Sequence, residues 1–264
     1  MIVEFIGAPG SGKTTVLPMV IEALQERGIR ARSVVEAARP YAQRTPLGQF
    51  VCRLAPPSLH GPLLWQVFYH QSSLFMLKFA VKHPRLIWQV LVSQKRRPIA
   101  AKTRQRRVLF WFFRLVGYYE FLTTHTRPNE ALLFDEGFIH RVVQLNASHV
   151  EAPDSGQVFA YVDLLPRPDL VIHTQARSEV CEQRIYCRGI WEHFRSNRPA
   201  EVAQYVANAH LVVDLAVDHA KAKGWRVVEV DNGGDDLNAL RAELRGKLMS
   251  LQHLPHAVKR ANLS

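Results

Sequence analysis

Residues Gly7-Ala8-Pro9-Gly10-Ser11-Gly12-Lys13-Thr14 fit the pattern G-x-x-x-x-G-K-[ST], and a short apolar run from Ile2 to Ile6 leads into them. That run reads as a buried strand. Beyond the pattern, Val16, Leu17, Val20, Ile21 and Leu24 recur at helical spacing, so Gly12 to Arg27 reads as a helix with Gly28 as its C-cap. Pro18 lacks the N–H for the carbonyl of Thr14, which predicts a kink or a tightened turn. A strand, a glycine-rich turn and a helix in this order place a nest of backbone N–H groups at the strand's carboxyl end, beside the positive end of the helix dipole. Such a nest binds polyphosphate. Gly7, Ala8, Pro9, Gly10, Ser11, Gly12, Lys13, Thr14 and Thr15 are the predicted cradle, with ATP or GTP and Mg²⁺ as the cofactors. Lys13 is expected to reach the β- and γ-phosphates, and the Thr14 hydroxyl to hold the metal.

Four further strands are predicted, at Ala31–Glu36, Ala131–Asp135, Asp169–His173 and Trp225–Val230. Helical stretches lie near 138–149, 178–188, 198–223 and 235–250. From Pro40 to Arg127 the chain reads as mostly helical, cut by prolines. The alternation predicts one α/β domain: a five-stranded parallel sheet with helices on both faces and a helical insertion, 37–130, between strands two and three. Ligands gather at the carboxyl ends of such strands, where Gly7, Glu36, Asp135 and Gln175 fall. In Leu132-Leu133-Phe134-Asp135-Glu136-Gly137 an apolar run delivers an acid, which makes Asp135 a candidate for holding Mg²⁺ or its waters.

Charge singles out the insertion. Between Glu36 and Glu120 there are fourteen Lys and Arg and no Asp or Glu, more than the net charge of +11 of the whole chain. The remainder is slightly acidic, an asymmetry that speaks of partners rather than fold. The basic stretch from Lys95 to Arg107, followed by apolar Val108 to Phe113, suits an anionic membrane surface through 95–114. Nucleic-acid phosphates are a less favoured partner, and a solvated amphipathic helix is the plain alternative. No 18-residue apolar run is present, and the opening lacks the form of a leader, so a cytoplasmic protein, peripheral to the membrane at most, is expected. Cys52, Cys181 and Cys187 lack metal-type spacing and read as reduced packing residues, and no HExxH pattern occurs.

Several segments together resemble the nucleoside and nucleoside-monophosphate kinases, especially thymidylate kinases and deoxynucleoside kinases. They are the phosphate loop; Pro168-Asp169-Leu170-Val171-Ile172 with Arg177-Ser178-Glu179; Arg184-Ile185-Tyr186-Cys187-Arg188-Gly189; and Val227-Val228-Glu229-Val230-Asp231-Asn232. The resemblance covers roughly 1–36 and 131–250. It implies a lid-like segment at 184–200, with Arg184 and Arg188 capping the transferring phosphoryl group and Arg195 and Arg198 as lesser candidates. It makes Glu36 the first choice of general base and places an anionic acceptor near Arg39. The family carries an arginine beside the acid after strand three. Here the pair is Asp135-Glu136 and the nearest arginine is Arg141, so Glu136 is an alternative base. Trp65-Gln66-Val67-Phe68-Tyr69-His70-Gln71 resembles the aromatic-and-glutamine helix over the acceptor base, with Trp65 or Phe68 to stack and Gln71 to hydrogen-bond.

The function expected from these readings is an ATP-dependent kinase of a small molecule, a nucleoside or nucleotide by resemblance. Two alternatives stay open. One is a kinase of an anionic, sugar or lipid-linked acceptor. The other is a nucleotide-switched ATPase that docks on membrane or nucleic acid.

Overall fold

The computed structural model describes residues 1–95, 102–189, 199–234 and 236–251, with residues 95 and 102–105 described by backbone alone. In chain order the elements are β1 (Ile2–Ile6), α1 (Lys13–Glu26), β2 (Arg30–Ser33), α2 (Val34–Gln43), α3 (Pro46–Leu54), α4 (Pro57–Lys82), α5 (Pro84–Lys95) and α6 (Lys102–His125). There follow β3 (Glu130–Phe134), α7 (Phe138–Asn146), α8 (Ser155–Asp163), β4 (Leu170–Gln175), α9 (Ser178–Cys187), α10 (Pro199–Ala222), β5 (Val227–Asp231) and α11 (Leu237–Ser250).

The strands form one five-stranded sheet in the order β2-β3-β1-β4-β5, and every pair is parallel. All residues of β1 and β3 are buried, as both faces are covered. Alternation along β1 divides the core. Val3 and Phe5 pack with α1 and α11 on one face, while Ile2 and Ile6 face the cluster built from α2, α4, α6, α7, α8 and α10. Neighbours β3 and β4 run to opposite sides of β1, so a crevice opens at its carboxyl end, where the chain enters the glycine-rich turn. This is the P-loop nucleotide-binding fold.

The insertion is helical, as its pattern predicts, and consists of α2 to α6. Its aromatic core, with Phe68, Phe79, Phe112 and Phe121, is continuous with Leu132 and Phe134 of the sheet. Gly117 lets α6 cross α4 closely, because an added Cβ would lie 2.4 Å from the carbonyl oxygen of Ser72. The insertion is tied to the sheet at Glu130. That carboxylate accepts from Tyr41 Oη (3.0 Å), Arg44 and the Arg127 amide (2.9 Å). Burial alone would raise its pKa, but these donors outweigh burial and hold it at about 2.

Three local expectations change. The second strand ends at Ser33 rather than Glu36, because Ser33 and Glu36 close a capping box that starts α2 at Val34. Helix α8, capped by Asp154, was not expected from the pattern; only Val158, Tyr161 and Val162 of its nine residues are buried. Helix α1 runs on through Pro18, whose ring is solvent-exposed.

Candidate active site

The turn between β1 and α1 is held from three sides, each at a glycine. Gly7 lies against β4: an added Cβ would be 2.4 Å from Thr174 Oγ1. There Ser11 Oγ and Thr174 Oγ1 share a hydrogen bond of 2.8 Å, and Thr174 donates to the carbonyl of Ile6. Gly10 lies under α9, with its φ of +85° and the carbonyl of Cys181 only 2.5 Å from an added Cβ. Gly12, φ +88°, would drive a Cβ to 1.8 Å from Asn232 Nδ2. Both angles fall in the left-handed region that glycine alone enters freely. The loop shape is therefore fixed by β4, α9 and the segment after β5.

Lys13 arches back over this loop, and its Nζ donates to the carbonyls of Gly7 (2.9 Å) and Ala8 (3.2 Å). Desolvation pushes its pKa down to about 8, with the negative charges of Glu136 and Asp135 pulling the other way and Arg188 adding to the depression. Those couplings place Asp135, Glu136 and Arg188 in the electrostatic neighbourhood of Lys13. Thr14 is exposed beside it.

Asp135 and Glu136 follow the end of β3 and are exposed. Asp135 Oδ1 accepts the amide of Glu136 (3.0 Å), and Asp135 makes no ion pair among the described residues. Glu136 pairs with Arg141 at 3.2 Å. Arg141 is buried, donates also to Gln144, and its Nε has no partner among the described residues. Next to it, buried His140 is held well below its ordinary pKa by burial and by the charges of Lys13 and Arg141.

Glu4 is a lone acid inside the apolar strand β1, near the start of α7. Lying on the same face of β1 as Ile2 and Ile6, it is fully buried, and its Oε2 accepts the amide of Ile139 at 2.8 Å in the first turn of α7. Desolvation raises its pKa to about 7, with the α7 amides opposing the rise. Gly137 makes room for it: a Cβ there would sit 2.6 Å from the carboxyl carbon. The signal was present, since a lone acid amid Ile, Val and Phe has to meet a donor. A helix N-terminus supplies one here.

Arg184 and Arg188 come from the end of α9. The Arg184 guanidinium donates to the carbonyls of Gly10 (3.2 Å) and Asn232 (3.0 Å), while Asn232 Nδ2 donates to the carbonyl of Ser11 (2.8 Å). This arginine braces the phosphate loop against the segment after β5; in this arrangement both of its bonded nitrogens are taken by backbone. Arg188 is the C-cap residue of α9 and exposed. Together with Gly12, Thr15, Asn232 and Leu237 the two arginines line a cavity of about 290 Å³ beside the start of α1. Arg195 and Arg198, and most of the lid-like segment, lie outside the described residues, as do residues 96–101 of the basic stretch.

The acceptor-side candidates separate. Glu36 is an α2 cap, its Oε2 accepting the Ser33 amide at 2.9 Å. Arg39 lies over the Trp65 ring at 5.7 Å, so those two do come together. Phe68 meets the edge of the Trp65 ring, with centroids 5.7 Å apart, from the buried side. It is 1% exposed and packs against Tyr118 and Phe121, so it belongs to the core and not to a stacking face. Gln71 keeps a buried Oε1 without a partner.

No family model matches the chain, and no curated protein does. Solved structures do. The chain is similar to the deoxyadenosine kinase from M. mycoides with bound dCTP (13% identity, TM-score 0.41, covering 95% of this chain and 100% of that one). The same enzyme with products dCMP and a flexible dCDP gives 14% identity and a TM-score of 0.41 over 96% and 100%. With bound dATP it gives 13% and 0.42 over 95% and 100%.

Proposed function

We propose that the chain is a P-loop phosphotransferase that binds a purine nucleoside triphosphate with Mg²⁺ and transfers its γ-phosphoryl group to a small-molecule acceptor. The observation that carries this reading is the junction of a three-sided glycine cradle with Lys13 and the carboxylates of Asp135 and Glu136 within its electrostatic reach. A loop used only for folding needs neither an ammonium bridging its own carbonyls nor two exposed acids beside it.

On binding, Lys13 would exchange the carbonyls of Gly7 and Ala8 for phosphate oxygens, and the loop amides would neutralise the remaining charge. Thr14 and Asp135 fit a divalent ion, being an exposed hydroxyl and an exposed carboxylate without an ion pair among the described residues. When bound there, Mg²⁺ would offset the charge on the β- and γ-phosphates. The cavity between Arg184, Arg188 and Leu237 suits a purine, whose faces guanidinium planes stack on. Arg188, coupled to Lys13 and exposed, replaces Arg184 as the first choice to stabilise the γ-phosphoryl group.

For the acceptor, Glu136 replaces Glu36 as the first choice of base, since Glu36 is spent on the α2 cap. Glu136, oriented by Arg141, would accept the hydroxyl proton as phosphoryl transfer proceeds. Arg39 and Trp65 form the face on which we place the acceptor, a nucleoside or nucleotide. Acceptor-dependent ADP release tests this with a panel of nucleosides, nucleoside monophosphates, sugars and lipid-linked alcohols. Stimulation by a nucleoside or nucleotide is expected. Stimulation by a sugar or lipid alcohol would overturn the acceptor assignment. Hydrolysis that no acceptor stimulates would leave a nucleotide-switched ATPase in its place.

A further inference from the structure

The end of α4 and the start of α5 present an apolar surface that no part of the described chain covers. Leu74, Leu77 and Val81 are 74%, 71% and 75% exposed. At 100° per residue they fall within an arc of about 60°, so they form one stripe. Helix α5 starts two residues after α4 ends, and its Trp88 is 67% exposed. Large apolar side chains concentrated this way on a water-facing surface mark an interaction site.

The exposed charges that α4 and α5 bring to this end are all basic. Lys78, Lys82 and Arg85 are exposed beside it. No acid occurs between Glu36 and Glu120, and Glu120 is buried, its carboxylate paired with Lys78 (3.2 Å) and Lys82 (2.6 Å). The partner therefore has to offer both apolar depth and negative charge. Nucleic acid offers the charge but stacks on aromatic rings, and would leave Leu74, Leu77 and Val81 in water. A second copy of the chain would bring cations against cations.

We propose that this α4–α5 corner docks on the surface of an anionic lipid bilayer. The leucines, Val81 and Trp88 enter the boundary between headgroups and acyl chains, and Lys78, Lys82 and Arg85 meet lipid phosphates. No described helix is long and apolar enough to cross a membrane, so the contact is interfacial. In the chain, the surface precedes the 95–114 segment to which composition alone points.

The test is co-sedimentation of the full chain with vesicles of phosphatidylcholine alone and of phosphatidylcholine with one quarter phosphatidylglycerol. Partition onto the anionic vesicles is expected to be roughly tenfold higher, to weaken with added salt, and to fall by about tenfold in Leu77→Glu and measurably in Trp88→Ala. Both substitutions replace exposed side chains, so melting temperature and ATP binding in the same preparations should be unchanged. Equal partition onto both vesicles, or none, overturns the proposal. So does a vesicle-free dimer that Leu77→Glu dissociates, or single-stranded DNA binding lost in the same two variants. The result is independent of whether the nucleotide site proves to be a kinase.

Discussion

The phosphate-loop end of the sheet and the helical insertion place their charged and apolar groups by opposite rules. Around the loop, backbone decides. Three glycines are hemmed in by Thr174, Cys181 and Asn232, and Arg184 is fixed by two carbonyls. In the insertion, side chains decide, and many face water: cations in excess of acids, leucines and a tryptophan. The first region is built to hold one ligand geometry. The second is tied down at Glu130 and at the α4–α6 crossing, and is otherwise open to a partner of soft shape.

Paired glycine substitutions break this comparison most sharply. Gly12→Ala should abolish ATP binding, since strain of about 1–3 kcal/mol at a positive φ adds to a collision with Asn232. Gly117→Ala also meets a neighbour, the backbone of Ser72, yet it should cost about 1–3 kcal/mol in melting experiments while ATP still binds. If Gly117→Ala lost ATP binding as completely, the two regions would not be separable in this way.

The carboxylates come next. Glu136→Gln is expected to lower turnover on the order of 10²- to 10⁴-fold with ATP affinity kept, as for a lost general base. Unchanged turnover would remove Glu136 from the chemistry.

Glu4 gives a smaller effect with a defined sign. Its folded pKa of about 7 lies above the ordinary 4.5, so the native state holds a proton that the unfolded chain has released. Stability should therefore fall as pH rises from about 4.5 to 7 and then level off, by at most on the order of 3 kcal/mol. Glu4→Gln keeps an acceptor for the Ile139 amide and should remove that slope, as thermal melts across pH 4.5–8 would show. A slope that persists in the variant would assign it elsewhere.

Glu36→Gln should do least, costing about 1 kcal/mol or less of stability through the weakened cap, with turnover nearly unchanged. A loss of turnover comparable to that of Glu136→Gln would return the base to Glu36.

The same contrast explains what could be read in advance. The loop, the five parallel strands and the insertion's helices follow from local rules: glycine spacing, apolar runs and prolines at helix starts. The end of β2 is hard to read at Glu36 because a capping box and a strand end look alike until the chain direction is known. Phe68 misled because aromatic spacing on α4 shows one face without saying that α6 covers it. The bonds of Arg184 to Gly10 and Asn232 join residues distant in the chain, which no spacing records. Glu4 needed the knowledge that α7 begins above β1.

Titration calorimetry with ATP and magnesium addresses the central claim most directly, run on the intact chain and on Lys13→Ala. Saturable binding that weakens above pH 8, as Lys13 loses its proton, is expected for the intact chain, with a loss of at least roughly tenfold in the variant. No heat of binding in the intact chain, or equal affinity in both proteins at every pH, would contradict a polyphosphate cradle centred on Lys13.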